Sequence, residues 1–202
     1  MGVFCQNVFM NSLQPLDDKK LAIIDAGFRS FAAYGYRRVS MAEIAKAAGM
    51  SRAALYLHFS SKEDIFRSLV VQYFAQAAAD LQAALQADGA LDAVICGGFQ
   101  AVCGPGFKAM MTSPHGPELM DSKNSVGAEL ARAGDAQLLA IWAGWLRDQG
   151  ALGRVVLDGP AEEVAQVLMA ALHGLKEEAS DWDALQAGMG RLARLMARGL
   201  RA

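Results

Sequence analysis

At 202 residues, 53% hydrophobic and 20% charged, the chain has material for one large domain or two small ones around a well-filled core, and long disorder is excluded. The net charge of −2 does not by itself point to nucleic acid, and no stretch approaches the roughly 20 apolar residues of a membrane helix. Of the three cysteines, Cys96 and Cys103 lie two helical turns apart, about 10 Å on a straight helix and beyond disulfide reach, as expected of a reducing, cytoplasmic setting.

Residues 1–16 carry no charged side chain and lack the basic start of a signal peptide. They are expected to form a flexible extension, with no arginine or lysine to enter a minor groove. Leu21, Ile24, Phe28 and Phe31 then recur at helical spacing and end in Tyr34-Gly35-Tyr36. Ser40 and Glu43 form an S-x-x-E capping box, each side chain satisfying a free backbone donor at the helix start. Ile44 points inward, Ala45 is small where two helices cross, and Gly49 stops the helix in the left-handed conformation. Ser51 caps the next helix and Leu55 anchors it to the core. The spacing Ala45, Gly49, Leu55 is that of a helix-turn-helix, whose second helix enters the DNA major groove and here presents Arg52, Ala53, Ala54 and Tyr56 outward. Charge is distributed accordingly. Asp17 to Arg67 hold nine basic and six acidic groups, net +3, which leaves −5 for the rest of the chain.

A long helix is expected from Ser61, capped by Asp64, with Ile65, Leu69, Tyr73 and Ala77 on one stripe as far as about Gln86. After Asp88-Gly89 comes a helix from Leu91 to Cys103, ended by Gly104-Pro105-Gly106. A short helical piece, Phe107 to Thr112, precedes the breaker string Ser113-Pro114-His115-Gly116-Pro117. Val126 to Gln149 reads as helix, and Gly150 to Gly159 as a connector. Pro160 suits a first helical position, with Glu162 and Glu163 matching the dipole behind it. Val164, Leu168, Ala171 and Leu175 make one stripe, widened by Val167 and Leu172; Leu185, Met189, Leu192 and Met196 make another. No segment alternates with a period of two, so the fold is expected to be all-α. The last two helices carry more apolar surface than a small monomer covers, and a twofold dimer through residues 160–200 would bury it. The alternative is that both lie inside one chain.

The succession helix–GY–helix–G–helix–LYLHF–SSKE, from Asp17 to Leu69, resembles the DNA-binding domain of TetR-family transcriptional regulators. The resemblance implies an N-terminal helix-turn-helix domain (17–66) and an α-helical ligand-binding and dimerisation domain (67–202). It implies that Arg52 and Ala53 face base edges, with Ser51 capping their helix, and that Ser40, Tyr56, His58 and Lys62 contact the DNA backbone. The chemistry agrees: arginine can bond guanine bidentately, an alanine methyl can touch thymine, and hydroxyl, imidazole and ammonium groups can donate to phosphate. With two alanines on the recognition face, few direct base contacts are expected and DNA shape gains weight.

The resemblance further implies a small-molecule ligand in the body. Phe99, Cys103, Phe107, Met110, Met111, Trp142, Trp145 and His173 are candidate lining residues, and their soft, aromatic character suits an apolar or aromatic ligand. The same residues would equally serve as plain core. No cofactor is expected, since Cys96, Cys103, His115 and His173 lack metal-ligand spacing. Two other functions are weighed: an all-α enzyme, for which no nucleophile–base pair or phosphate loop is found, and a binding module without DNA contact, against which the intact caps, Gly49, Arg52, Tyr56 and Lys62 stand. The function expected is a dimeric, ligand-responsive regulator, a repressor, on a palindromic operator.

Overall fold

The computed structural model describes residues 18–200, apart from the side chains of 122–124; the N-terminal extension at 1–16 lies outside the described residues. The described residues form helices and no strand: α1 (Asp18–Tyr34), α2 (Met41–Ala47), α3 (Arg52–Tyr56), α4 (Lys62–Leu85), α5 (Leu91–Met111), α6 (Gly116–Ser125), α7 (Ala128–Ala151), α8 (Ala161–Glu178) and α9 (Trp182–Gly199). The all-α expectation holds. The described residues divide into two compact units, one of 18–72 with 113–131, the other of 73–112 with 132–200.

In the first unit, α1 buries Ile23, Ile24 and Phe31, α2 buries Ile44 and Ala45, and α3 buries Leu55. Phe31, Tyr36 and Phe66 form an aromatic triangle, with ring centroids 5.3 Å (Phe31–Tyr36), 5.9 Å (Phe31–Phe66) and 5.0 Å (Tyr36–Phe66) apart, in the tilted and edge-on arrangements that aromatic quadrupoles prefer. Helix α4 starts where expected, but Asp64 does more than complete a cap with Ser61. Its backbone N–H donates to Ser61 Oγ at 3.1 Å, and its carboxylate accepts from the Ser60 N–H at 3.1 Å.

Helix α6 corrects the sequence reading. The segment GPELMDSKNS has no apolar stripe and opens with two helix breakers, so the pattern offered no helix. Pro117 is tolerated because it sits in the first turn, where its missing N–H has no intrahelical partner to lose. The helix buries Leu119. It also groups with the N-terminal unit, although the sequence reading placed everything beyond residue 66 in the body.

In the second unit, α5 is interrupted where the sequence places a break: Gly104 takes a non-helical conformation (φ 54°, ψ 173°) ahead of Pro105, so the span is two helical pieces joined at a kink. Near the bend the Tyr73 hydroxyl donates to the Val102 carbonyl at 2.8 Å, and burial pushes that phenol's pKa up. α5 packs most extensively on α9, and α9 on α8. Phe99, Trp142, Leu138, Leu146, Leu168, Leu172, Leu185 and Met189 are buried, with Trp142 edge-on to Trp145 at 5.8 Å. Gly98 matters here because the Trp142 ring occupies the space its Cβ would take. Pro160 is the N-cap of α8 rather than its first residue. Asp181 caps α9, accepting from the Ala184 N–H at 2.8 Å.

The last two helices bury only part of their apolar surface. Ala161, Ala165, Leu168 and Leu172 face inward on α8, whereas Val167 is 59% exposed and Leu195 on α9 is 65% exposed. Between the two helices, Leu175, Ala184, Gly188, Arg191, Leu192 and Leu195 help line an open groove of about 420 Å³.

Candidate nucleic-acid interface

The helix-turn-helix is built from local bonds that the sequence specifies. At the start of α2 the Glu43 N–H donates to Ser40 Oγ (3.4 Å) and the Ser40 N–H donates to the Glu43 carboxylate (2.7 Å), closing the capping box. The same serine donors hold the Glu43 pKa below the usual carboxylate range. At the other end the Met50 N–H donates to the Ala45 carbonyl (3.0 Å) and the Gly49 N–H to the Lys46 carbonyl (3.1 Å), the paired bonds of a Schellman stop. Gly49 takes φ 68°, and no atom lies within 4 Å of where its Cβ would be. Glycine is required there by the backbone conformation and not by crowding. Ser51 then caps α3, with Ala54 N–H donating to its Oγ at 3.1 Å.

Helix α3 is five residues long, and with Leu55 turned into the core its exposed face carries Ser51, Arg52, Ala53 and Tyr56. The Arg52 guanidinium lies 5.5 Å from the Tyr56 ring centroid and donates to the Tyr56 hydroxyl at 3.4 Å. The two side chains therefore hold each other, and a base or phosphate acceptor would compete with that contact. Ser40 is exposed and His58 half-buried. Leu57 is 85% exposed at the end of α3, and the sequence reading did not single it out. The signal was available, because Leu55 and Phe59 take the core positions four apart and leave Leu57 facing out.

Lys62 has a different occupation from the one expected. Its ammonium donates to the carbonyls of Tyr36 (3.0 Å), Arg37 (3.1 Å) and Val39 (3.2 Å), and lies 4.8 Å from the centre of the Tyr36 ring. An ammonium has three donors, and three carbonyls take them, so a phosphate could be bound only by displacing one. Tyr36 in turn donates to Glu63 at 3.3 Å, and burial, with the Glu63 charge and hydrogen bond, pushes its pKa up to about 12. Lys62 thus ties the start of α4 to the segment between α1 and α2. Lys62→Ala is expected to lower the melting temperature of the N-terminal unit by loosening this tie while leaving the salt slope of DNA binding nearly unchanged. A slope flatter by about one unit would return Lys62 to the phosphate contacts.

The candidate ligand residues differ in their exposure. Phe99, Cys103 and Trp142 are fully buried and Phe107 nearly so; Phe99 packs on Trp142 with centroids 5.6 Å apart, and the Cys103 thiol lies 3.7 Å from Met189 Sδ. Burial pushes the Cys103 thiol pKa up. Met110, Met111 and Trp145 are half-buried. His173 is set apart from these residues. It is exposed and pairs with Glu177 one turn on at 3.3 Å, because its position on α8 lies away from the buried stripe of Ala165, Leu168 and Leu172. Among the described residues, no helix is long and apolar enough to cross a membrane.

Residues 23–69 match the family model for bacterial regulatory proteins of the tetR family. Over 56 residues the chain is 39% identical to the HTH-type transcriptional regulator AcrR of Shigella flexneri, a match covering 28% of this chain and 26% of that protein. Over 49 residues it is 41% identical to the A-factor receptor protein of Streptomyces griseus, covering 24% of this chain and 18% of that one. Each match thus spans about a quarter or less of the relative's own length. The fold extends further. A transcriptional regulator from Cytophaga hutchinsonii superimposes with a TM-score of 0.76 at 21% identity, covering 92% of this chain and 100% of that one. SmeT, the repressor of the Stenotrophomonas maltophilia multidrug efflux pump SmeDEF, superimposes at 0.68 with 18% identity, covering 95% and 93%.

Proposed function

We propose that the chain, whose residues 23–69 match the tetR family model, is a cytoplasmic, non-enzymatic repressor of that family that binds a pseudopalindromic operator as a twofold dimer and leaves it when a small apolar ligand binds the body. The observation that carries the DNA-binding part is the capped, Schellman-stopped helix-turn-helix with Arg52 and Ala53 on its open face. In this reading Arg52 and Ala53 meet base edges, while Ser40, Tyr56 and His58 contact phosphates. Repression follows the naming of SmeT, a repressor of the same fold.

The dimer reading rests on the exposed Val167 on α8 and on the exposed Leu195 of α9, which lines the groove between the two helices. A self-complementary face on two antiparallel helices suits a twofold interface, and twofold protein symmetry imposes a twofold site. The ligand reading rests on the sulfur-rich and aromatic composition around Phe99, Cys103, Phe107, Met110, Met111, Trp142 and Trp145. Ligand and operator must then be reciprocally coupled, so ligand affinity should fall when operator DNA is present.

The test uses Arg52→Ala on an operator selected from a pool of random duplexes by the wild-type protein, and on random duplex. Loss of a bidentate base contact costs about 1–3 kcal/mol, so specific affinity should fall about 5- to 150-fold while nonspecific affinity changes little. Equal losses on the two DNAs would make Arg52 a phosphate contact. A wild-type protein without salt-dependent retention on any duplex would overturn DNA binding itself.

A further inference from the structure

Glu118 belongs to α6, far along the chain from the helix-turn-helix, yet its carboxylate lies at the turn that leads into it. The Arg37 backbone N–H donates to Glu118 Oε1 at 2.8 Å, across 81 residues of sequence. Oε2 of the same carboxylate lies 3.5 Å from His115 Nδ1. Gly35 closes α1 at φ 87°, and a Cβ on it would collide with Glu118 Oε2. The left-handed backbone requires the glycine of the GY pair, and the missing Cβ leaves room for this carboxylate.

The contact falls on a segment that organises the DNA-binding surface. The carbonyls of Tyr36, Arg37 and Val39 hold the Lys62 ammonium at the start of α4. Ser40, one residue on from Val39, caps α2. Arg37 is thus gripped from two sides, its N–H by Glu118 and its carbonyl by Lys62.

We propose that Glu118 is a positioning residue for DNA binding: by accepting the Arg37 N–H it holds the 35–40 turn, and with it the start of α2, in the geometry that the operator requires. The inference rests on the DNA-binding reading above. It gives α6, a helix without an apolar stripe that buries Leu119, a role that its sequence does not advertise. It also runs against simple electrostatics. A carboxylate near a DNA-binding surface repels phosphate, so removing its charge alone should leave affinity unchanged or raise it.

That opposition makes the experiment decisive. Glu118→Gln and Glu118→Ala remove the same charge, but only glutamine keeps an acceptor for the Arg37 N–H. Operator affinity and Arg37 amide hydrogen exchange are measured for both full-length variants beside wild type. The expected result is that Glu118→Gln binds operator at least as tightly as wild type, whereas Glu118→Ala binds about tenfold more weakly than the glutamine variant. The Arg37 amide should exchange faster only in the alanine variant, and the salt slope should be the same in all three. Equal affinities for the two variants, or a weaker alanine variant whose Arg37 amide stays protected, would overturn the positioning role. Global unfolding of Glu118→Ala, seen as faster exchange throughout the chain, would likewise count against it. The amide exchange of Arg37 is read without DNA, so a wild type that binds no duplex would defeat the DNA-binding reading while leaving the Glu118–Arg37 bond measurable.

Discussion

Val167→Arg is expected to leave the protein folded but monomeric at micromolar concentration, and to abolish tight operator binding. Val167 is 59% exposed on α8, so the arginine adds no strain within the protomer. In the proposed dimer it would be buried without a partner, at a cost of about 3–5 kcal/mol for each such charge. A twofold interface receives two of them, which weakens dimerisation by more than about 10⁴-fold. Two separate heads would then lose the avidity of joint binding, itself worth about 10²–10⁴. Leu195→Arg, at a site 65% exposed on α9, should behave alike. Leu168→Arg should not, because Leu168 is fully buried inside the protomer and a charge there would unfold the body. Light scattering and melting temperature together separate the outcomes. A Val167→Arg protein that stayed dimeric would place the interface elsewhere.

Trp142→Ala should cost about 3–5 kcal/mol, a large part of the 5–15 kcal/mol that holds a typical domain together. Trp142 is the largest of the fully buried side chains, packed on Phe99, Trp145 and the open side of Gly98. The melting temperature should fall by about 10 °C. Trp142→Phe should cost much less, for a reason particular to this site. The indole Nε1 is buried and finds no hydrogen-bond acceptor among the described residues, so phenylalanine removes an unsatisfied donor along with part of the ring. The two opposing effects should leave Trp142→Phe closer to wild type than an ordinary large-to-small change. If the two variants melted together, the shape of the indole rather than its bulk would govern the packing.

Much of the helix-turn-helix was legible in the sequence because it is made locally. The capping box spans Ser40 to Glu43, the Schellman stop Ala45 to Met50, and the α3 cap Ser51 to Ala54, so every bond closes within six residues. Residue types with strong conformational preferences sit at each of those positions, and the exposed place of Arg52 follows once Leu55 is turned inward. The all-α class was legible for the same reason, from periodicity alone.

Tertiary structure decided the rest. Lys62 has the chemistry of a phosphate contact, but carbonyls 23 to 26 residues away claim its donors, and no local pattern records that. Helix α6 has no periodic apolar stripe, and its carboxylate meets a backbone amide 81 residues distant. On α8, Val167 and Leu168 are adjacent and equally apolar, so hydropathy could not say which faces the protomer and which faces out; the packing of α8 against α9 chose Leu168 for the inside. Caps, stops and periodicity are short-range and written into the residues themselves. Which of two apolar faces is buried, and which of several donors is already taken, depends on where distant segments come to rest.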